Sequence, residues 1–234
     1  MLKTLLDPVS SVPRAVEGRR WGLPMLALCA AVTFSGVAFA YRLDPTAAVI
    51  RKLEMTGELA KSSERELGEE VQQAHRIALV GGAAKGIFVM PLVLLLVSVA
   101  LKVAAWLAGK KLVFAEAFTV AAVAFLPIAL FHVIYGVVAL KQGVVTASMA
   151  QDLLPSSLSV LVGPEAAKLG RVLRQVDFFN VWAVVLLGLG FAQGTKLKPS
   201  RGLALCLLLY VMLSAVLVGL PGLAPPPGQG APPS

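Results

Sequence analysis

The chain has 234 residues, of which 57% are hydrophobic and only 15% are charged, and its mean hydropathy is +0.80. Soluble domains usually carry about 25% charged residues, so this composition excludes an ordinary soluble domain and indicates contact with lipid. The formal net charge is +8, but the basic residues flank apolar runs and no nucleic-acid-binding motif is present, so we expect no nucleic-acid partner.

The N-terminal 20 residues are polar and basic, and the apolar run from Trp21 to Tyr41 is long enough to cross a bilayer. The end of this run, Ala38-Phe39-Ala40, matches a signal-peptide cleavage site, so cleavage after Ala40 is one interpretation. The full spanning length and the aromatic residues at both ends favour an uncleaved first span.

Residues 42–76 are the most hydrophilic part of the chain and predict a helical hairpin outside the lipid core. Asp44-Pro45 is a helix-start pattern, and Ser63-x-x-Glu66 is a capping box. Apolar residues then recur at helical spacing opposite a charged face. We interpret this as a connecting helix with a solvated face, and the alternative is a partner-binding surface.

The next apolar stretch runs from Ile77 to Ala108, which is too long for one untilted span. We place the span at about 86–108 and continue the amphipathic helix to the interface. Lys85 then lies at the outer boundary, where its long side chain can reach the headgroups. Gly82-x-x-x-Gly86 permits close helix approach, and Pro91 predicts a kink.

The third span is predicted at about 115–140. Pro127 in its middle removes one backbone hydrogen bond. His132 lies beyond the proline, on the same helical face as Tyr135. A histidine within a span is a candidate for proton transfer or ligand binding, although a hydrogen-bonded structural histidine is the simpler interpretation.

A second outer segment, 141–176, precedes the fourth span and is predicted to end in an amphipathic helix from Pro164. Asp177 can then cap the fourth span, with help from Asn180, by accepting from free backbone donors. Phe178 and Trp182 are expected to anchor that span among the headgroups. The Pro/Gly-rich tail, 221–234, is expected to be disordered.

Basic residues predict the orientation of the bundle. One set of loops (1–20, 109–114 and 194–201) holds 9 Lys/Arg in 34 residues, whereas the other set holds 10 in 85. The positive-inside rule therefore places the N-terminus in the cytoplasm and the C-terminus outside. The predicted domain covers residues 21–220, with spans at about 21–41, 86–108, 115–140, 177–193 and 202–220.

Catalytic and metal-binding motifs are missing from the sequence. It has no His-Glu-x-x-His pattern, no Gly-x-Ser-x-Gly elbow and no phosphate-binding loop, and it contains only two histidines. The spans hold no carboxylate near their centres, where ion-coupled transporters usually place one. We therefore expect a non-enzymatic protein without a metal or cofactor.

Several short motifs follow one another along nearly the whole chain. They are Leu6-Asp7-Pro8, the early Pro91, Phe114-x-Glu116-Ala117-Phe118, Phe125-Leu126-Pro127 and Asp177-Phe178-Phe179-x-Val181-Trp182. This order resembles the bacterial branch of the Yip family, five-span membrane proteins named for eukaryotic members that bind Ypt/Rab GTPases. The chain lacks the Asp-Leu-Tyr-Gly-Pro-type element and the long cytosolic N-terminal region of those members, which argues against GTPase binding.

The resemblance implies an all-α transmembrane bundle in the bacterial inner membrane, without known catalytic residues. By analogy it implies a role in membrane organisation or trafficking. We expect a scaffold or partner-binding bundle whose partners are the lipid bilayer and other membrane proteins, with the oligomeric state open. The alternative is a small permease or transporter component with a path lined by Pro91, Pro127 and His132. Convergence of Lys85, His132, Asp177 and Asn180 on one cavity would favour that alternative.

Overall fold

The computed structural model describes residues 7–146, 149–151, 153–158, 173 and 176–219. Within these ranges the regular elements are helices, which confirms the predicted all-α fold. In chain order they are α1 (Pro8–Glu17), α2 (Gly22–Arg42), α3 (Thr46–Thr56), α4 (Glu64–Ala84), α5 (Met90–Leu107), α6 (Phe114–Ala124), α7 (Leu126–Lys141), α8 (Phe178–Thr195) and α9 (Pro199–Gly219).

Four helical stretches are long and apolar enough to cross a bilayer: Gly22–Arg42, Glu64–Leu107, Phe114–Lys141 and Phe178–Thr195. Helix α9 is also apolar, but its apolar stretch, Pro199–Ala215, is shorter than these four. The predicted amphipathic helix 164–176, apart from residues 173 and 176, and the predicted tail 221–234 lie outside the described residues.

The helices pack around two central spans. Helix α2 packs against α7 on one side and against α4 on the other, while α8 packs against α9, α6 and α1. One apolar cluster contains Leu28 and Leu94, and a second contains Leu101, Leu186 and Phe191. Since lipid is as apolar as these side chains, tight packing rather than exclusion from water holds such clusters together.

Small residues let α2 and α4 approach closely. Gly82 lies against the backbone of Gly36, and Gly86 lies against the backbone of Cys29 and Thr33. A Cβ at either Gly82 or Gly86 would overlap these atoms, so the close approach depends on glycine at both positions. The predicted role of Gly82-x-x-x-Gly86 as a helix-packing motif is seen in this contact.

Helices α4 and α5 form one 44-residue stretch, Glu64–Leu107. It begins with the predicted capping box, because Ser63 Oγ accepts from the Glu66 N–H at 3.3 Å while the Glu66 carboxylate accepts from the Ser63 N–H at 2.7 Å. A π-helical turn, Lys85–Val89, joins the two parts. Pro91 comes two residues after the end of this turn. The wider turn accommodates the bulky proline ring and the lack of a proline N–H.

The third long span is interrupted at Phe125, between α6 and α7. The interruption lies two residues before Pro127, whose ring cannot continue the hydrogen bonding of the preceding turn. Pro127 itself is fully buried. It therefore belongs to the packed interior of the bundle.

The N-terminal helix α1 is docked between spans. Val12 and Val16 are 1% and 2% exposed and join the cluster that contains Phe191. A Cβ at Gly190 of α8 would meet Val12, which shows how closely the two helices approach. Glu17, at the end of α1, accepts from Gln193 Nε2 at 3.0 Å. The predicted basic N-terminus thus contains a docked helix, which its charged residues alone did not indicate.

Candidate functional site

A cleft of about 410 Å³ lies between α4 and α7, with α2 as its floor. Helices α4 and α7 both pack on α2 and flank it on opposite sides. Its polar lining groups include Ser35, Lys85, His132 and Tyr135. The remaining lining residues are Val32, Gly36, Phe39, Ala40, Leu43, Ala78, Gly81, Gly82, Phe131 and Ala150. The cleft is therefore mostly apolar, with a few convergent polar side chains.

Hydrogen bonding fixes the His132 ring against the floor of the cleft. Ser35 Oγ lies 2.8 Å from His132 Nδ1 and 3.0 Å from the carbonyl oxygen of Val32. Ser35 is buried and His132 is half-buried. The predicted hydrogen bond of this histidine is thus present, and its partner is 97 residues away in the chain. An isolated serine in an Ala- and Gly-rich span carries no signal of this role in the sequence.

Lys85 is exposed in the described bundle and lies level with the middle of α2. It precedes Gly86, which packs on Thr33, and Thr33 is about 14 Å along the helix axis from Arg42, the last residue of α2. A lysine at the centre of a span costs about 2.5–3.5 kcal/mol on insertion scales, and less when its stem lets the ammonium reach the headgroups. Among the described lining residues there is no carboxylate to pair with it.

A short clasp closes the end of the cleft that lies next to Arg42 and Leu140. The Tyr135 hydroxyl donates to the carbonyl oxygen of Ala150 at 3.0 Å, and Arg42 Nη2 donates to the carbonyl oxygen of Leu140 at 3.0 Å. The chain after α7 also returns to the end of α2, where the Val145 N–H donates to the Arg42 carbonyl at 2.9 Å. These bonds tie α7 and its following loop to α2.

Asp44 starts helix α3 just beyond this clasp. The hydroxyl and the backbone N–H of Thr46 both donate to its carboxylate, and they hold the pKa of Asp44 below its usual value. A carboxyl with a lowered pKa stabilises the folded state above its ordinary pKa, and that contribution is lost as the pH falls. The bonds therefore keep the start of α3 in place at neutral pH.

Asp177 and Asn180 lie away from the cleft, at the start of α8. Asp177 Oδ1 accepts from the N–H of Phe179 at 2.8 Å and from the N–H of Asn180 at 3.1 Å, which is the predicted cap. Ser156 Oγ donates to the other carboxylate oxygen. A cap of this kind contributes about 1 kcal/mol. Asp177 is accounted for by these bonds, and neither it nor Asn180 lines the cleft.

Aromatic side chains surround that cap. Phe178 is exposed, and its ring centroid lies 5.7 Å from that of Trp182, as expected for side chains that anchor a span in the headgroup layer. The Phe179 ring packs edge-to-face on Phe131 at 5.4 Å, and Phe131 lines the cleft. The cap and the cleft are therefore neighbours joined by one aromatic contact.

In the described part of the chain, no three His, Cys, Asp or Glu side chains form a group that could hold a metal ion. Of the predicted site residues, the structure brings Lys85 and His132 together in the cleft and leaves Pro91 and Pro127 out of its lining.

Comparison with protein families gave one finding. The family model described as the Yip1 domain matches residues 2–220. Searches of curated proteins and of solved structures gave no significant match.

Proposed function

The chain belongs to the Yip1 domain family and is a multi-pass membrane protein, and from this we propose that it is a non-enzymatic scaffold that binds other membrane proteins. The proposed setting is the bacterial inner membrane, in membrane organisation or trafficking. The proposed orientation has the N-terminus in the cytoplasm and the C-terminus outside, as the distribution of basic loop residues favours.

The observation that carries the proposal is the small number of buried polar side chains in the described bundle. They are Ser35, Ser98, Thr119, Asp177 and Thr195, and the four hydroxyls among them all donate to a carbonyl of their own helix. Ser98 donates to the carbonyl of Leu94 at 2.5 Å, and Thr195 donates to that of Phe191 at 2.6 Å. Thr119 donates to the carbonyl of Ala115 at 2.7 Å. Hydroxyls satisfied in this way offer no continuous row of free polar groups to a solute.

A permease path is less well supported by the same residues. Lys85 and His132 share a cleft, but Asp177 is used as a helix cap and Pro127 is part of the packed interior. A path across the membrane needs polar groups along its length. Lys85 and His132 instead lie together in one cleft, and such a grouping suits the binding of a ligand better than its passage across the membrane.

A partner surface is best supported on the long helix Glu64–Leu107. Only 17% of the residues in its most apolar 18-residue window are buried, whereas this share is 39–44% in the other three candidate spans. Its apolar face therefore has the most surface left for contact outside the described bundle. It also continues into the outer hairpin, where Lys52 pairs with Glu70 at 3.2 Å and holds α3 against α4.

Site-specific photo-crosslinking in native membranes tests this surface. A photoreactive amino acid at Leu96, which is 61% exposed, is expected to give a discrete adduct with another membrane protein. The matched control is Met212 on α9, which is 59% exposed and is expected to give lipid adducts. The same adducts at both positions, or lipid adducts alone at both, would argue against a scaffold that uses this face.

Reporter fusions test the proposed orientation. A reporter after Gly109 is expected to give a cytoplasmic signal, because the loop there carries two lysines, Lys110 and Lys111. A reporter at Ser234 is expected to report from outside. A cytoplasmic signal from Ser234 would contradict the five-span orientation.

A further inference from the structure

We propose that the cleft between α4 and α7 binds the headgroup of an anionic phospholipid, with Lys85 as donor to its phosphate group and His132 as acceptor from a headgroup hydroxyl. This inference goes beyond the scaffold role and does not depend on it. It rests on the charge of the cleft, the fixed histidine and the way the cleft meets the lipid.

The first argument is the charge of the cleft. Lys85 brings a full positive charge, and the described lining residues bring no carboxylate. Lys85 makes no ion pair or hydrogen bond within the described part of the chain. A charge at this depth needs an opposite charge nearby or access to headgroups. An anionic headgroup drawn into the cleft satisfies both needs at once.

The second argument is the orientation of His132. Ser35 Oγ lies 2.8 Å from Nδ1, and because its hydroxyl donates to the carbonyl oxygen of Val32, the ring proton sits on Nδ1 and is donated to Oγ. Within the described residues, Nε2 has no hydrogen-bond partner, so its lone pair is left to accept from a hydroxyl of the headgroup, such as those of phosphatidylglycerol. The edge of Phe131 packs at 5.4 Å from the same ring and limits its rotation.

The third argument is shape. The wall formed by α4 contains Gly81 and Gly82, whose lack of side chains leaves room beside Lys85. Phe39 and Phe131 give apolar surface for the glycerol and the first carbons of an acyl chain. A volume of about 410 Å³ lies within the usual size of small-molecule sites.

The surroundings favour a lipid as the source of the phosphate. Among the described residues, none of the helices covers the cleft on the side facing away from α2. Phe88, three residues after Lys85, is 71% exposed and apolar, so acyl chains contact the helix beside Lys85. A phospholipid can therefore reach the site sideways within its own leaflet, whereas a soluble anion must pass the clasp.

Native mass spectrometry of the full-length protein in detergent provides the test. The lipids added are phosphatidylglycerol, which is anionic, and phosphatidylcholine, which is zwitterionic. We expect the protein to retain phosphatidylglycerol preferentially. Lys85→Gln is expected to weaken that binding about fivefold, the effect of one basic group at an anionic headgroup. The matched control, Lys102→Gln, removes a lysine from the same long helix outside the cleft and is expected to leave binding unchanged.

Two further variants separate charge from folding. Lys85→Arg keeps the charge and is expected to retain phosphatidylglycerol, and His132→Leu, which removes the acceptor, is expected to weaken it. Equal binding by Lys85→Gln and Lys102→Gln, or no preference for phosphatidylglycerol, would overturn the proposal. Inorganic phosphate at the lipid's concentration is expected not to displace the lipid. Displacement that depends on Lys85 would overturn the lipid as the source of the anion.

Discussion

Replacing Gly82 with alanine is expected to destabilise the protein, whereas Gly81→Ala, at the neighbouring residue, is expected to be neutral or slightly stabilising. A Cβ at Gly82 would lie 2.6 Å from the carbonyl carbon of Gly36 and 3.1 Å from the nitrogen of Val37. Both are backbone atoms, so α2 and α4 must move apart to make room. Overpacking of this kind costs about 1–3 kcal/mol, more than the helix propensity that alanine gains.

Thermal unfolding of the two variants in the same detergent measures this difference. Gly82→Ala is expected to lower the midpoint by about 2–12 °C for a chain of this size. A Cβ at Gly81 meets nothing within 4 Å, so Gly81→Ala tests helix propensity alone. If the two variants unfolded at the same temperature, the close contact between α2 and α4 would not be a stabilising feature of the bundle.

Phe191→Ala is expected to cause the largest loss of stability from a single side chain in the described core. Phe191 is completely buried in the cluster that joins α1, α6 and α8. Its truncation leaves a cavity, and such changes cost about 3–5 kcal/mol in packed interiors. The loss of packing persists in a membrane, because lipid cannot enter a cavity enclosed by helices.

The free energy of unfolding in mixed micelles, followed by titration with a denaturing detergent, measures this loss. Phe88→Ala removes the same side chain at a position that is 71% exposed, and a change within about 0.5 kcal/mol is expected there. An equally large effect at Phe88 would show that burial within this chain is not what makes Phe191 important.

Local features of the fold could be predicted because they depend on neighbouring residues. The capping box at Ser63 and Glu66 and the cap at Asp177 follow from spacings of two or three residues. The long helix through Lys85 follows from one apolar run preceded by an amphipathic one. Signals of this kind are present in any short stretch of sequence.

The contacts that build the cleft were not predictable in the same way. The Ser35–His132 bond joins residues 97 positions apart, and the approach of Lys85 to His132 depends on both helices packing on α2. Nor does the sequence show that Asp177, although predicted as a cap, lies outside the cleft that contains Lys85. Pairings of this type depend on which helices become neighbours, and loop lengths alone do not specify that.

The docking of α1 has a consequence for how the protein is made. Val12 leaves the ribosome well before Gly190 of α8, which lies about 180 residues later in the chain, yet the two residues pack together. At a synthesis rate of roughly 5–20 residues per second, α1 waits about 9–36 s for its partner. During that interval its apolar face needs another cover, such as the membrane surface or a chaperone. Helix α1 can therefore complete its packing only after α8 has been made.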